Sequence, residues 1–227
     1  MNKKKVTIIL PSYNEEESIG QVLDEVNRLP IDKEVIVVNN NSTDRTALIA
    51  FPKCDRLLEE KQKGKGIAMR TAFKLVDTPY VFMVNSDLTY PISEIPTMLL
   101  VLESGIHSAI AGWRKTKTKD SMALVNKFGN ICLTFLANLL YPGKPPIKDL
   151  CTGLWGFDSE VLKEFHLTSK GFTLEADLFI NLRRLSKKLA NYPINYQKRG
   201  GKAKLKVLDG FRIAWFLTKR RMVWPKA

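Results

Sequence analysis

Tyr80-Val81-Phe82-Met83-Val84 runs directly into Asn85-Ser86-Asp87-Leu88 and on to Thr89-Tyr90-Pro91. An apolar run of this length, closed by turn-forming residues, reads as a buried strand. A buried strand that ends on an acidic residue aims that carboxylate, here Asp87, into the crevice beyond the strand's carboxyl end, where open α/β sheets bind ligands. Asn, Ser, Asp and Pro also populate turns for purely local reasons. The tetrad therefore decides the fold only in company.

Three further segments supply that company, in order. Val6-Thr7-Ile8-Ile9-Leu10 stops at Pro11-Ser12-Tyr13-Asn14-Glu15-Glu16 and opens into a helix, with Asn14 as its expected cap, acidic residues in its first turn and Ile19, Leu23 and Val26 on one face. Glu34-Val35-Ile36-Val37-Val38 is a second buried strand, ending in Asn39-Asn40-Asn41-Ser42-Thr43-Asp44, side chains able to hydrogen-bond a base or ribose. Lys61-Gln62-Lys63-Gly64-Lys65-Gly66 opens a helix through Ala68, Met69, Ala72 and Phe73, where glycine lets backbone approach a ligand and lysine carries charge for phosphate. A fourth strand is expected at Ala109-Ile110-Ala111-Gly112, ending at Trp113-Arg114. Strand, polar loop and helix in alternation predict an α/β fold, a doubly wound, mostly parallel sheet flanked by helices, with its polar loops gathered at one edge.

Pro11-Ser12-Tyr13-Asn14-Glu15, Asn40-Asn41-Ser42-Thr43-Asp44, Lys63-Gly64-Lys65-Gly66, Ser86-Asp87-Leu88 and Gly112-Trp113-Arg114 together resemble family-two glycosyltransferases of the GT-A fold. Within that family the chain resembles the polyprenyl-phosphate sugar synthases, the dolichyl-phosphate mannose synthases among them, from Val6 to about Lys206. The resemblance implies inverting transfer of a hexose from a nucleoside-diphosphate sugar, with Mg²⁺ or Mn²⁺ bridging the diphosphate. By position, Pro11, Tyr13 and Glu15 would border the nucleotide, Asn40 would meet base or ribose, and Ser86 and Lys65 would lie beside them. Asp87 would hold the metal, and Arg114 would face the sugar or the acceptor phosphate. Such ions prefer oxygen ligands and need only one or two carboxylates once phosphates share the shell. The chain departs from the pattern at Asn39 and Asn85, where the family usually has carboxylates, often at Asn40 too, and at Thr89, where glutamine is common. Asp87 is left as the one obvious acidic ligand, so metal affinity should depend heavily on the diphosphate.

Two segments complete the expected site. Asp149-Leu150-Cys151-Thr152-Gly153-Leu154-Trp155-Gly156-Phe157 resembles the family's acceptor-side loop and strand, although Trp155 and Phe157 could equally be core. Gly171-Phe172-Thr173-Leu174-Glu175-Ala176-Asp177 begins a helix, whose positive end alone would explain its acids. In the family, carboxylates at Glu175 and Asp177 would face acceptor or hexose. A sugar-hydroxyl acceptor would need one of them as general base, whereas a lipid phosphate, already ionised, needs none. The basic loop from Tyr196 to Leu205 favours the phosphate, with Arg199 able to grip it bidentately and Lys204 adding point charge.

The 227 residues suit one domain spanning 1–227, with 44% hydrophobic content normal for a packed core. Three cysteines, Cys54, Cys132 and Cys151, without CxxC spacing argue against a disulfide framework or zinc site and for reduced thiols. His107 and His166 are isolated. The apolar run behind Lys3-Lys4-Lys5 is too short for a signal peptide's core.

The formal net charge is +13, and from Lys198 to Ala227 ten Lys or Arg face a single acid, Asp209. Such a tail seeks a polyanion. Leu208, Phe211, Trp215 and Met222 can share one helical face, with Arg220 and Arg221 toward the other and Ile213 and Leu217 spoiling the division. This is the pattern of a helix lying in a membrane interface, where each basic residue contributes about 1 kcal/mol near an anionic leaflet; a helix packed on the core with a solvated basic face is the alternative. A second stripe, Leu124, Phe128, Ile131, Cys132, Phe135, Leu136, Leu139 and Leu140, leaves Lys127, Asn130, Thr134 and Asn138 outside it. Such spacing usually means core packing, yet two such helices, about 121–141 and 207–224, look like the interface helices of the polyprenyl-phosphate synthases. Neither reaches the ~18–20 apolar residues of a span. Peripheral attachment at the cytoplasmic face of a membrane is expected, with a spanning segment beyond Ala227 as the other possible anchor. The functional expectation is hexosyl transfer from GDP-mannose, or secondly UDP-glucose, to a polyprenyl phosphate, with no nucleic-acid partner. The alternatives are transfer to a glycan hydroxyl, or a basic lipid- or nucleic-acid-binding module on a degenerate site.

Overall fold

The structure, a computed structural model, describes residues 4–117, 124–199 and 207–223. Seven strands form one sheet: β1 (Val6–Ser12), β2 (Lys33–Asn39), β3 (Arg56–Glu59), β4 (Tyr80–Val84), β5 (Ala109–Lys117), β6 (Leu154–Asp158) and β7 (Leu189–Tyr196). Their order is β3-β2-β1-β4-β6-β5-β7. All neighbours pair in parallel except β6, which runs antiparallel to both β4 and β5. The mixed, mostly parallel sheet agrees with the expected GT-A architecture.

Residues of β1 alternate between two cores. Ile8 and Leu10 pack with Val35, Val37, Phe82 and Val84 on one face, where α1 (Ile19–Asn27) and α4 (Ile95–Glu103) cover the sheet. Ile9 packs with Ile36, Val38 and Met83 on the other, beneath α3 (Lys65–Phe73) and α7 (Leu174–Arg184). Apolar side chains on both faces are what a sheet covered on both sides demands. Trp155 and Phe157 of β6 lie wholly in this second core, stacked at 5.7 Å, so both are packing residues. From β1 the chain order steps outward to β2 in one direction and to β4 in the other. That divergence opens a crevice at the strands' carboxyl ends, between the loops after β1, β2 and β4.

Two elements depart from expectation. The first helix begins at Ile19, behind Ser18, with no acidic residue in its first turn. Asn14 does not cap it. Asn14 takes a left-handed backbone (φ 50°) and its amide is laced to the next loop, donating to Thr43 Oγ1 and accepting from Thr43 N at 2.8 Å. The fourth predicted strand continues past Arg114 to Lys117, because β7 supplies a parallel partner along its length.

The helices α5 (Leu124–Leu140) and α8 (Val207–Met222) pack together. The apolar stripe of α5 faces outward: Phe128, Ile131, Phe135 and Leu139 are exposed. Three of its polar side chains face the protein, while Lys127 is exposed. Asn130 donates to Asp149 and accepts from Cys151 N, Thr134 accepts from Leu150 N, and Asn138 makes a reciprocal pair with Ile147. In α8, Ile213 and Leu217 do not spoil an amphipathic helix. They are its core-facing residues, while Leu208, Phe211, Trp215 and Met222 stand exposed. Each helix therefore presents an unburied apolar face. No helix among the described residues is long and apolar enough to cross a membrane.

Candidate active site

One continuous cavity of ≈1000 Å³ opens at the crevice and runs from the loops after β1, β2 and β4 to the groove between α5 and α8. Pro11, Tyr13, Glu15, Asn40, Lys65, Ser86, Asp87, Arg114, Glu175 and Arg199 all border it. Lys204 falls outside the described residues. Asp177 is not on the cavity.

Asp87 follows the end of β4 and is 3% exposed. Thr89 supplies two hydrogen bonds to Asp87 Oδ1, from its amide at 3.2 Å and its hydroxyl at 2.5 Å. Leu88 between them is held in the left-handed region (φ 63°), a conformation costing a β-carbon residue about 1 kcal/mol or more and typical of functional turns. Oδ2 of Asp87 accepts from Arg199 Nη1, and Arg199 Nη2 donates to Glu15 Oε1, both at 2.5 Å. The other Glu15 oxygen accepts from Ser18, whose hydroxyl also reaches Ser86 O at 2.7 Å. Ser86 itself hydrogen-bonds Ser12 and Pro11 O, locking the loops after β1 and β4 together.

Lys65 begins α3 and points back into the cavity, donating to Asn85 Oδ1 at 2.7 Å and Glu175 Oε1 at 2.5 Å. An amide at Asn85, where a carboxylate was the family expectation, thus receives one arm of a lysine whose charge Glu175 balances. Arg114 is gripped bidentately by Asp149, at 2.6 Å on each side, and lies 5.1 Å over the Tyr196 ring. Its fork is largely committed before any ligand arrives.

Two expected roles fail on geometry. Asn40 borders the cavity, but its side chain accepts from Gly64 N and donates to Gln62 O, both at 2.7 Å. It braces the 60–64 loop and has little left to offer a base. Asp177, 0% exposed, accepts from the backbone of Thr168 and Ser169 and approaches Arg220 of α8 at 3.6 Å. Burial pushes its carboxyl up despite those donors. Facing an acceptor or hexose is closed to it. The glycine expectation also changes partner. A Cβ on Gly64, where φ is +146°, would lie 2.1 Å from Lys170 O, so what approaches the glycine is the 168–171 loop.

Sequence reasoning missed Asp149 as a site residue, although the segment it heads was singled out. It also missed Thr89 as the brace of Asp87, and Tyr90, whose buried hydroxyl accepts from Gly153 N at 2.5 Å. No spacing rule marks a carboxylate that holds an arginine 35 residues away. Cys151 borders the cavity too, but burial pushes its thiol up to about 12, which keeps it un-ionised and a poor nucleophile.

Acidic and basic side chains converge beyond the central strands of this open α/β sheet, the place where such sheets bind their ligands. Residues 7–165 match glycosyl transferase family 2, and the chain belongs to that family: it is a glycosyltransferase. It is 31% identical over 205 residues to the dolichyl-phosphate hexose transferase of Haloferax volcanii, covering 90% of this chain and 88% of that one. The dolichol-phosphate mannosyltransferase of Pyrococcus furiosus is 24% identical over 215 residues, 89% of this chain but 59% of that longer protein. Among solved structures, glucosyl-3-phosphoglycerate synthase from Mycobacterium tuberculosis in complex with Mn²⁺, UDP and glucosyl-3-phosphoglycerate superposes with a TM-score of 0.78 at 18% identity, over 99% of this chain and 82% of that one. Mannosyl-3-phosphoglycerate synthase from Rubrobacter xylanophilus gives 0.74 at 19% identity, over 96% and 73%. These two likenesses show the fold.

Among the described residues no three His, Cys, Asp or Glu side chains gather as a metal cluster. The residues nonetheless fit a divalent ion that arrives with phosphate. Asp87 and Glu15 both turn an oxygen to one cation, the Arg199 guanidinium, which marks a point where positive charge is stabilised. A hard cation sharing oxygens between one or two carboxylates and a diphosphate is the usual arrangement for Mg²⁺.

Proposed function

We propose that the protein transfers a hexose from a nucleoside-diphosphate sugar to a polyprenyl phosphate at a membrane surface, in a divalent-metal-dependent reaction. The observation that carries this reading is the single cavity with two characters. Its sheet end is lined by Asp87, Lys65, Arg114 and Arg199, and its far end by Phe128, Leu133, Phe211 and Ile213 of α5 and α8. A lipid phosphate has the same two characters in the same order. The names of the Haloferax and Pyrococcus relatives point to the same acceptor class.

The charges favour phosphate over hydroxyl as nucleophile. The cavity's carboxylates are held in ion pairs, Glu175 with Lys65 and Asp87 and Glu15 with Arg199. These carboxylates are turned to cations rather than to a substrate hydroxyl, and a phosphate oxygen needs no general base. The same commitment explains a need for metal. Lys65, Arg114 and Arg199 are committed to Glu175, to Asp149 and to Asp87 with Glu15, which leaves Lys63 and Lys198, among the described residues, as the cavity's cations outside these pairs when a diphosphate and an acceptor phosphate enter. Asp87 would hold a divalent ion, which would supply further positive charge to the departing diphosphate.

The chemical step is one in-line displacement. An acceptor phosphate oxygen forms the bond to the anomeric carbon as the bond to the donor's phosphate oxygen breaks, and the nucleoside diphosphate leaves with the electron pair. Tyr13, Ser86 and Lys65 hold the donor, while Arg199 and Arg114 orient the acceptor, so positioning and charge carry the rate. The outward faces of α5 and α8, with Phe211 and Trp215 exposed beside the basic residues Arg212, Lys219 and Arg221, would lie in the headgroup layer.

Incubation with labelled GDP- and UDP-hexoses, Mn²⁺ and either polyprenyl phosphate or free oligosaccharide tests the reading. Label in an organic-soluble glycosyl phosphate is the expected result, and it names the donor as well. Transfer to the oligosaccharide alone would overturn the acceptor.

A further inference from the structure

We infer that Arg199 is a two-position residue that makes the donor bind before the acceptor; the acceptor half of this inference rests on the reading above. Its guanidinium bridges Asp87 and Glu15, the side chain expected to hold the metal and one expected to border the nucleotide. Both carboxylate side chains are more than nine-tenths buried, and the Arg199 side chain is about a fifth exposed. Cation and donor therefore compete with Arg199 for the same oxygens.

The bridge is also an incomplete one. Among the described residues, Nε of Arg199 is buried without a hydrogen-bond partner, and an unmet buried donor is a cost that a better arrangement removes. A phosphate taken bidentately through Nε and a terminal nitrogen would satisfy it. Arg199 lies beyond the end of β7, two residues past the backbone bond from Gln197 N to Thr89 O. When a divalent ion and diphosphate take over Asp87, the displaced guanidinium faces the same cavity in which an acceptor phosphate must sit. Before that exchange, the arginine is neutralised by two carboxylates and a poor phosphate ligand. Order of addition follows from one side chain serving two anionic sites in turn.

The test separates this exchange from a simple acceptor grip. Mn²⁺ binding is measured by the loss of the free-ion electron paramagnetic resonance signal, on protein without donor or acceptor, so its outcome does not depend on which acceptor the enzyme uses. Arg199→Met should bind Mn²⁺ about tenfold more tightly than the parent, with Arg199→Lys between them, and Lys198→Met, which removes an adjacent charge, should stay within twofold. Equal affinity in Arg199→Met and the parent, or the same gain from Lys198→Met, would overturn the exchange. If Arg199→Met fails to fold by circular dichroism, Arg199→Lys decides it alone. Geranyl phosphate titrated calorimetrically should register with Mn²⁺ and nucleoside diphosphate present and be at least tenfold weaker without them; equal binding in both would sink the ordering.

Discussion

The two ends of the cavity are built on opposite plans. At the sheet end, Asn14 N donates to Ser42 Oγ, Glu15 N to Thr46 Oγ1 and Thr43 N to Asn14 Oδ1, lacing the segments after β1 and β2, and Ser86 ties the end of β1 to the loop after β4. Left-handed residues Asn14, Asn41 and Leu88 sit in these three loops, strain that persists only where surrounding contacts over-determine the backbone. At the helix end, among the described residues, α8 packs through Ile213 and Leu217 with Ala214 and Phe216 beside them, accepts a hydrogen bond from Tyr141 at Leu217 O, and brings Arg220 to Asp177. The sheet end is built on polar detail and the helix end on an apolar seam. The difference suits a small polar donor that needs registration and a long apolar acceptor that needs a groove.

Removing Asp87 strikes the polar end at its centre. Asp87→Ala should lower kcat on the order of 10²–10³-fold, the scale for deleting one electrostatic stabiliser of a developing charge. Vesicle binding should be untouched. Full turnover in a folded Asp87→Ala protein, checked by circular dichroism, would remove the metal assignment and with it the functional split between the ends.

The converse break is Phe211→Glu with Trp215→Glu. Both side chains are about two-thirds exposed, so folding should tolerate the pair. Losing apolar insertion worth roughly 2 kcal/mol predicts about thirty-fold weaker partition onto anionic vesicles in a flotation assay, with melting temperature and donor affinity unchanged. Unchanged partition would leave the exposed face without a membrane role.

Gly64→Ala sharpens the comparison from the donor side. A methyl group 2.1 Å from Lys170 O, on a left-handed glycine, must push the Lys61–Gly64 loop off the 168–171 loop. Overpacking of this kind costs about 1–3 kcal/mol. A lower melting temperature and a raised donor KM are expected, with acceptor KM steady; an acceptor effect of equal size would mean that the two ends are not separately built.

How much of this was legible in the sequence follows the same division. The strands ending at Ser12, Asn39 and Val84 could be read because apolar runs closed by polar loops admit few other interpretations, and they delivered the sheet end. An apolar run has no direction, however, so β6 could not be seen to lie antiparallel. Helical periodicity showed a stripe on α5 but not which side of it meets protein. Asn130, Thr134 and Asn138 are inward because the 147–151 segment offers them backbone partners, and those partners exist only in three dimensions. Asn40 and Asp177 misled for a related reason: residue type gave their hydrogen-bonding capacity, while nearby backbone amides and carbonyls had already consumed it.

The smallest expected effect tests how lightly α8 is held. Burial pushes the Tyr141 hydroxyl up to about 12 from its usual 10.0, and that hydroxyl donates to Leu217 O at 2.7 Å. A folded-state value above the unfolded one means stability fully present below pH 10 and lost as pH climbs toward 12, since only the unfolded tyrosine then releases its proton. Cys151, raised to about 12 from 9.0 by burial, adds loss of the same sign beginning one unit lower. The tyrosine's share is therefore the difference between parent and Tyr141→Phe. At neutral pH that variant should melt a few degrees lower, the effect of about 1 kcal/mol for one hydrogen bond. Between pH 10 and 12 its melting temperature should fall less steeply than the parent's, so the two curves converge. Parallel curves would mean that α8 is secured by contacts other than this tether.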